Sequence, residues 1–516
     1  MMNPLYSVAE TRAIEDAAAA ALPAGVLMQR AGQAGANAAL DLLPFSTVHA
    51  KVLVLAGPGN NGGDALETAA HLAHAGAQVI VIHYAPTGES SAERAAALQR
   101  AKITDARIIH TAPETGDEHS AALADAGVAT TDWNLVIDGL FGIGLKRPLS
   151  GAMRELAEAI NGLRCQVLAL DLPSGLDADT GAIVGASEGG IAIHATHTVT
   201  FIADKPGLHT CDGRDYAGLV DVSRLDLDAG HFAPSRLHLN DVKFFSRHLS
   251  ARRHNSHKGS YGNVAVVGGA RGMSGAPLLA ARAALNSGAG RVYALFVEDA
   301  LACDSGQPEL MCRLASDFEL SVATLVIGPG LGASRLACEL LTRAIASDSP
   351  LLADADALNL LAVDATLQDA LKDRPSPAVL TPHPLEAARL LGCTIGDVQA
   401  DRVKAARKLA ARLNAYVVLK GSGTVIAAPN GDAVINTTGN PALATAGTGD
   451  VLAGLCGSLL AQGWPQWEAA LAAVWLHGMA ADVLVTEGTG PIGLTAGELI
   501  PAIRVALNRM VQHHGR

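Results

Sequence analysis

Short apolar runs separated by helix-length stretches organise the chain. In the first 222 residues KVLVLAG (51–57), AQVIVIHY (77–84), NLVIDGLFG (134–142), QVLALDLPSG (166–175) and THTVTFIA (196–203) alternate with segments of helical period. Continuous apolar strands, each followed by a helix, are the pattern of βαβ units on a parallel sheet buried on both faces. Ahead of them Ser7 and Glu10 have the S-x-x-E spacing of a capping box, which predicts an Ala-rich helix there and a second over about 27 to 42. After Val222 the pattern lapses: residues 223–257 are polar and punctuated by His and Arg, and the domain boundary is expected within them.

A second series of the same kind follows. It starts at NVAVVGG (263–269) and passes through ALF, ATLVIGPGLG (323–332), PLLADADAL (350–358), AVLTPHP (378–384) and YVVLKGSGT (416–424). The runs TVIAA and DAVIN, on either side of Pro429-Asn-Gly-Asp432, predict a β-hairpin, and the chain reads as helical from Thr448 onward. No repeat of 20 to 50 residues is present, which excludes a solenoid. The fold class is α/β, with an N-terminal Rossmann-like three-layer domain over residues 1–225 and a second α/β domain over 235–516.

Composition narrows the functional classes. Of the 516 residues 49% are hydrophobic, 17% charged and only 3% aromatic, which favours α/β layers of Ala, Val, Leu and Gly. A net charge of −12 argues against nucleic acid as a partner and leaves small anions held by backbone N–H groups. Seven cysteines without a C-x-x-C pair read as reduced, mostly buried packing residues, and the N-terminus has no secretory signal, so the expected compartment is cytoplasmic. No uncharged apolar run reaches the roughly 20 residues of a membrane span. A homo-oligomer acting on small molecules is the expected assembly.

The chemistry gathers at strand ends, where open α/β sheets bind ligands. GPGNNGGDA (57–65) matches G-x-G-x-x-G through Gly57, Gly59 and Gly62, but the next strand ends in His83 and Tyr84, not in a ribose-binding acid. Asn60, Asn61 and Asp64 add oxygens able to hold a cation or an amide. Asp138 ends one strand and leads into glycines, Lys146 and Arg147, which can hold phosphates; Asp171 ends another beside Ser174. In the second series Gly447, Thr448 and Gly449 would present N–H groups at a helix start with Asp450 as a base, the simpler alternative being an ordinary helix cap. Lys420-Gly421-Ser422-Gly423-Thr424 can line phosphates, and His383 is a candidate ligand contact. The basic cluster Arg252, Arg253, His254, His257 and Lys258 is expected to approach the phosphates of the second domain.

These segments also carry a resemblance. GPGNNGGDA, DGLFGIGLKRPLSG, DLPSGLDADTG, TVTFIADKPG and LMQRAG resemble the NAD(P)H-hydrate epimerase domain over most of residues 1–222. HKGSYGNVAVVGG, GMSGAPLLAARAAL, GPGLG, DADAL, TPHPLE, VLKGSGT and TAGTGDVLAG resemble the ADP-dependent NAD(P)H-hydrate dehydratase, a ribokinase-like fold, over about 250–510. The resemblance implies repair of hydrated NADH and NADPH: epimerisation of the R and S hydrates, then dehydration of the S hydrate with ADP converted to AMP and phosphate. It implies potassium (K+) at Asn61, Asp138 and Ser174, and hydrate at Asn60, Asn61, Gly62, Gly63, Asp64, at Gly142, Ile143, Gly144, Leu145, Lys146, Arg147, Pro148, and at Asp171. In the second domain it implies hydrate at Ala276, Gly330, His383 and Asp450, adenine nucleotide at Lys420, Gly421, Ser422, Gly423, Thr424 and Gly449, and Mg2+ on the phosphates. Asp171 and Asp450 are the implied catalytic residues. The family has Gly where Ala65 stands, a methyl that could crowd the turn. An ATP-dependent vitamin-type kinase is the alternative for the second half, and a non-catalytic nucleotide sensor for the first.

Overall fold

The computed structural model describes residues 3–43, 46–85, 91–111 and 116–515. It divides into two compact units at Ser235/Arg236, with Asn3 counted in the second. The expected end of the first domain at 225 therefore falls ten residues short, because Leu227 is buried in that core and Phe232 stacks edge-on against Tyr6.

The first unit opens with helices α1 (Val8–Ala21) and α2 (Val26–Leu42); Ser7 and Glu10 form the capping box read from their spacing. Its sheet has seven strands: β1 (Lys51–Ala56), β2 (Gln78–Tyr84), β3 (Arg107–Thr111), β4 (Leu135–Gly139), β5 (Gln166–Leu170), β6 (His197–Phe201) and β7 (Leu219–Ser223). All neighbours pair in parallel in the order β3-β2-β1-β4-β5-β6-β7. Val52, Val54 and Ala56 face one buried layer while Leu53 and Leu55 face the other, so both sides of β1 are covered, as its unbroken apolar run requires. The sheet order reverses between β1 and β4, which opens a crevice beyond their carboxyl ends. Helix α3 (Asn60–His74) begins in that crevice.

The second unit contains β8 (Leu237–Leu239), β9 (Asn263–Gly268), β10 (Arg291–Phe296), β11 (Met311–Leu314), β12 (Thr324–Ile327), β13 (Leu351–Ala353), β14 (Val379–Leu380), β15 (Tyr416–Leu419), β16 (Val425–Ala427) and β17 (Ala433–Ile435). Their order is β11-β10-β9-β12-β13-β14-β15-β16-β17-β8. Pairing is parallel from β11 to β15 and antiparallel through β15-β16-β17, so the expected hairpin exists and a second one precedes it. The reversal between β9 and β12 opens the corresponding crevice here. The helices Gly275–Asn286 and Thr448–Ala461 cross closely because Gly454 has no side chain: a Cβ there would lie 2.0 Å from the Ala280 carbonyl oxygen.

Two compositional expectations change. The helix Gln466–Thr486 is long and apolar enough to cross a membrane, but it carries Glu468, His477 and Asp482, and most of it is buried within the second unit's core. All seven cysteines are free thiols, yet only Cys456 is buried; Cys303 and Cys393 are exposed.

Candidate active sites

At the first switch point a cavity of about 1140 Å³ is lined from α1 by Arg12 and Glu15, from the β1–α3 turn by Asn60, Asn61 and Asp64, and from other strand ends by Gly142–Leu145 and Asp171. The turn packs tightly: a Cβ on Gly57 would lie 1.9 Å from the Leu140 carbonyl oxygen, so only glycine lets the loops after β1 and β4 meet. Ala65 is accommodated because its methyl occupies the space that Gly139 leaves free, 2.4 Å from where a Cβ would stand. Gly62 and Gly63 are buried beneath the turn, against the Gly57 carbonyl and the Met28 side chain. Lys146 and Arg147 are exposed and Pro148 packs on Gly185; none of the three lines this cavity.

Of the three oxygen-bearing side chains expected to hold a cation, Asn61 lines the cavity, while Asp138 and Ser174 bond each other and do not line it. Asp138 is fully buried; its carboxylate accepts the Ser174 N–H (2.7 Å), the Ser174 hydroxyl (2.7 Å) and the Leu140 N–H (3.2 Å). Burial pushes its pKa up to about 6, against the opposing Ser174 hydrogen bonds. Asn61 donates from Nδ2 to the Leu170 carbonyl (3.1 Å), and its Oδ1 is buried with no hydrogen-bond partner among the described residues. An orphaned amide oxygen and a desolvated carboxylate are oxygen donors of the kind a hard cation takes.

Asp171 stands at the tip of β5 in the left-handed region, at φ 65°. Its Oδ1 accepts from the Lys205 ammonium at 2.6 Å and its Oδ2 from the Ile143 N–H at 3.2 Å. Lys205 is fully buried and also donates to Thr200 Oγ1 (2.6 Å) and the Phe201 carbonyl (2.8 Å), so all three ammonium protons are used. A Cβ on Gly142 would lie 2.6 Å from Asp171 Oδ2, which ties the glycine after β4 to this carboxylate. Burial and the charge of Asp171 raise the pKa of Glu15. Lys205, Arg12 and Glu15 were missed as site residues; only Lys205 had a sequence signal, the DKPG turn after β6.

At the second switch point Ala276 and Gly330 come together, a Cβ on Gly330 lying 3.3 Å from the Ala276 methyl. The helix Thr448–Ala461 starts at Gly447, φ 88°, with no side chain capping it, so it presents amides and Asp450 at its first turn. Burial, Asp354 and Asp356 push the Asp450 pKa up to about 7, against the opposing charge of Lys420. The Lys420 ammonium lies 2.8 Å from Asp354 Oδ1 and 3.4 Å from where a Cβ on Gly449 would be. Burial works against that ammonium, but Asp354, Glu386 and Asp450 hold its pKa above the ordinary value.

Lys420 to Thr424 form the turn between β15 and β16, closed by Gly421 N–H donating to Thr424 Oγ1 at 3.3 Å. Buried Arg402 supports it, donating to the Leu419 and Lys420 carbonyls (3.2 and 3.1 Å). His383 caps the helix Pro384–Leu391: its Nδ1 accepts the Leu385 and Glu386 N–H groups (3.1 and 3.4 Å), and Nε2 lies 3.2 Å from Glu386 Oε1. Its side chain remains about half exposed, and burial with the nearby Lys420 lowers its pKa. The basic cluster does not approach this site. Arg252 lies over the Tyr261 ring at 3.8 Å and bonds the Gly288 carbonyl, at the start of β9 and β10, opposite the edge that carries Asp450. Asp354 was passed over as a site residue although DAD marks the end of β13; Arg402 had no local signal.

Two α/β domains, each with charged groups gathered at the switch point of its sheet, place their candidate sites where such sheets bind nucleotide-type ligands. Residues 264–504 match the NAD(P)H-hydrate dehydratase family model and residues 24–207 that of the YjeF-related protein N-terminus. The chain is 37% identical over 98% of its length to the whole bifunctional NAD(P)H-hydrate repair enzyme Nnr of Coxiella burnetii, and 35% identical over 93% to 89% of the Escherichia coli K12 protein of that name. An ADP-dependent (S)-NAD(P)H-hydrate dehydratase of Neisseria meningitidis is 47% identical over 52% of this chain and 92% of its own. A Bacillus subtilis ADP/ATP-dependent NAD(P)H-hydrate dehydratase crystal structure, co-crystallised with ATP and Mg2+, covers 51% of this chain and 94% of its own at TM-score 0.44 and 33% identity. The chain belongs to the family of bifunctional NAD(P)H-hydrate repair enzymes, which carry epimerase and dehydratase activities on one polypeptide. The kinase alternative is not the one these relatives favour.

Proposed function

We propose that the two sites divide the repair of NADH and NADPH hydrates. The first interconverts the R and S epimers, with Asp171 moving a proton at the hydroxyl-bearing ring carbon and the Lys205 ammonium keeping its carboxylate aimed. Asn60, Asn61, Asp64 and Gly142–Leu145 hold the hydrated nucleotide. Potassium, held by Asn61, Asp138 and Ser174, would supply a fixed positive charge beside it; the buried, unpartnered Asn61 Oδ1 supports that assignment.

The second site dehydrates the S hydrate. Asp450 takes the hydroxyl proton as that oxygen attacks the terminal phosphoryl group of ADP, so the phosphorus–oxygen bond to AMP breaks and a phosphorylated hydrate forms. The ring nitrogen then expels phosphate and the reduced nucleotide is restored. The observation that carries this reading is Asp450 itself: a carboxylate at an uncapped helix start whose pKa of about 7 suits a general base at neutral pH. Lys420 and the first-turn amides meet the phosphoryl charge, and Thr424 and Gly449 the rest of the adenine nucleotide. Mg2+ would come with the phosphates and neutralise their charge, with Asp356 and Asp450 as the carboxylates at hand.

Ala276, Gly330 and His383 are the proposed contacts to the hydrate there. Seven free thiols suit a reducing cytoplasm, and the acidity of the chain suits small-molecule substrates rather than nucleic acid or membrane. A homo-oligomer is part of the proposal, checked by light scattering. The test of function is recovery of NADH absorbance from an epimeric hydrate mixture: full recovery with ADP and Mg2+ is expected. Recovery that stops at half shows a missing epimerase; a stable phosphorylated alcohol made from ATP would overturn the dehydratase.

A further inference from the structure

Inverting a carbon that bears both a hydroxyl and a ring nitrogen imposes a stereochemical demand. When the carbon–oxygen bond is the one broken, the hydroxyl leaves one face of the ring and water enters the other, so one group must deliver a proton on the first face and another must accept one on the second. A single carboxylate cannot stand on both sides.

Five carboxyl groups line the first cavity, those of Glu15, Asp16, Asp64, Glu93 and Asp171, and two of them, Asp64 and Asp171, have sharply unlike surroundings. Asp171 is fastened by the Lys205 ammonium and the Ile143 N–H. Asp64 sits in α3, at the switch point between β1 and β4; its backbone carbonyl accepts from Thr68 Oγ1 (2.8 Å), but its carboxyl has no hydrogen-bond or ion-pair partner among the described residues. Burial first, then Asp171, Glu15 and Glu67, raise its pKa well above the usual carboxylate range, which favours the protonated form. Glu15, on α1, lines the same cavity and its pKa is raised by burial and by Asp171, but less far than that of Asp64, which stands at the start of α3, after β1 itself. Unlike environments for two carboxyls in one site are what separates an acid from a base.

We infer that Asp64 is a second catalytic residue of the first domain, the acid that protonates the departing hydroxyl, while Asp171 accepts a proton from the water entering the opposite face. This rests on the epimerase reading. The carbon–oxygen bond breaks as the ring-nitrogen lone pair forms a carbon–nitrogen double bond, and the hydroxyl leaves as water with the Asp64 proton. Water then adds to that carbon, the electron pair returns to nitrogen, and Asp171 takes the surplus proton. The net change is one proton moved from Asp64 to Asp171, which returns through water in the open cavity; in the reverse direction the two exchange roles.

The test uses the full chain, with epimers separated by chromatography. Asp64→Asn is expected to lower kcat for epimerisation about a hundredfold or more with KM within threefold, while Asp64→Glu recovers at least a tenth of the wild-type rate. Dehydration of pure S hydrate with ADP, the work of the other domain, stays unchanged, and the preserved KM for epimerisation shows that the first domain is folded. If Asp64→Asn epimerises within tenfold of wild type, or if both variants raise KM in step with a lost rate, the acid role is wrong although the epimerase stands. If the wild-type chain does not epimerise at all, the reading beneath it fails first.

Discussion

Both domains set a lysine beside an aspartate at the carboxyl edge of a parallel sheet, and they use the pair differently. In the first, Lys205 is fully buried and bonds Asp171, the proposed proton carrier, at 2.6 Å. In the second, Lys420 bonds Asp354 at 2.8 Å, and Asp450, the proposed base, makes no such direct bond among the described residues. Asp171 is thereby held in one orientation on a strained backbone, whereas Asp450 is left with its pKa near neutrality to gain and lose a proton. A lysine next to the proposed proton carrier fixes its position; a lysine one carboxylate away leaves the proposed base poised.

The strongest way to break this comparison is Asp450→Asn. Dehydration is expected to fall by about three orders of magnitude while epimerisation is untouched, because an amide accepts no proton and the base lies in the other domain. Since the ionised form is the active one, the wild-type dehydration rate is expected to rise with pH through about 7 and then level off. Raising this pKa in the folded state also has a sign for stability: the folded domain binds its proton more tightly than the unfolded chain, so this residue costs stability as pH rises from about 4 to about 7. Asp450→Asn is therefore expected to melt higher than wild type at pH 8, read by calorimetry. Equal loss of both activities would defeat the separation of the sites.

Lys205→Met sharpens the other half. It leaves Asp171, largely buried, without its counter-charge, and epimerisation is expected to drop about a hundredfold, with the first domain less stable by about 3–5 kcal/mol in urea unfolding. Lys420→Met, compared in the same way, is expected to harm dehydration and leave epimerisation alone.

Cutting the chain tests whether each site needs only its own domain. A fragment of residues 1–235 is expected to epimerise without adenine nucleotide, and 236–516 to consume one epimer only. Ending the first fragment at 225 removes Leu227 and Phe232 from their contacts and is expected to lower its stability by roughly 2 kcal/mol. The smallest expected effect is ionic: replacing potassium by lithium is expected to slow epimerisation severalfold and leave dehydration unaltered, measured on separated substrates. Equal rates in potassium, sodium and lithium would remove the cation site at Asn61, Asp138 and Ser174.

The buried strands were legible because an unbroken apolar run has few other fates in an α/β chain, and β1, β2, β4, β5 and β6 stand where those runs are. The edge strands β3 and β7 were not: residues such as Arg107, His110, Leu219 and Asp221 are exposed, and half-covered strands carry no continuous run. Asn60, Asn61, Asp64 and Gly142–Leu145 could be read as one site from their places after strand ends, since strand ends on one edge share a crevice. Lys146, Arg147 and Pro148, taken in with the same loop, point the lesson the other way, because a motif continues past the part that faces the cavity.

What the sequence by itself determined was the period of its apolar runs, and with it two α/β domains, their glycine turns and the residue types gathered at them. What only the tertiary structure decided was pairing. Lys205 finds Asp171 across 34 residues and Lys420 finds Asp354 across 66, because strand order, which local periodicity does not encode, brings those strand tips together. The proton affinity of Asp450 was decided at the same level, since it follows from burial and from the carboxylates of Asp354 and Asp356, supplied by a distant strand end.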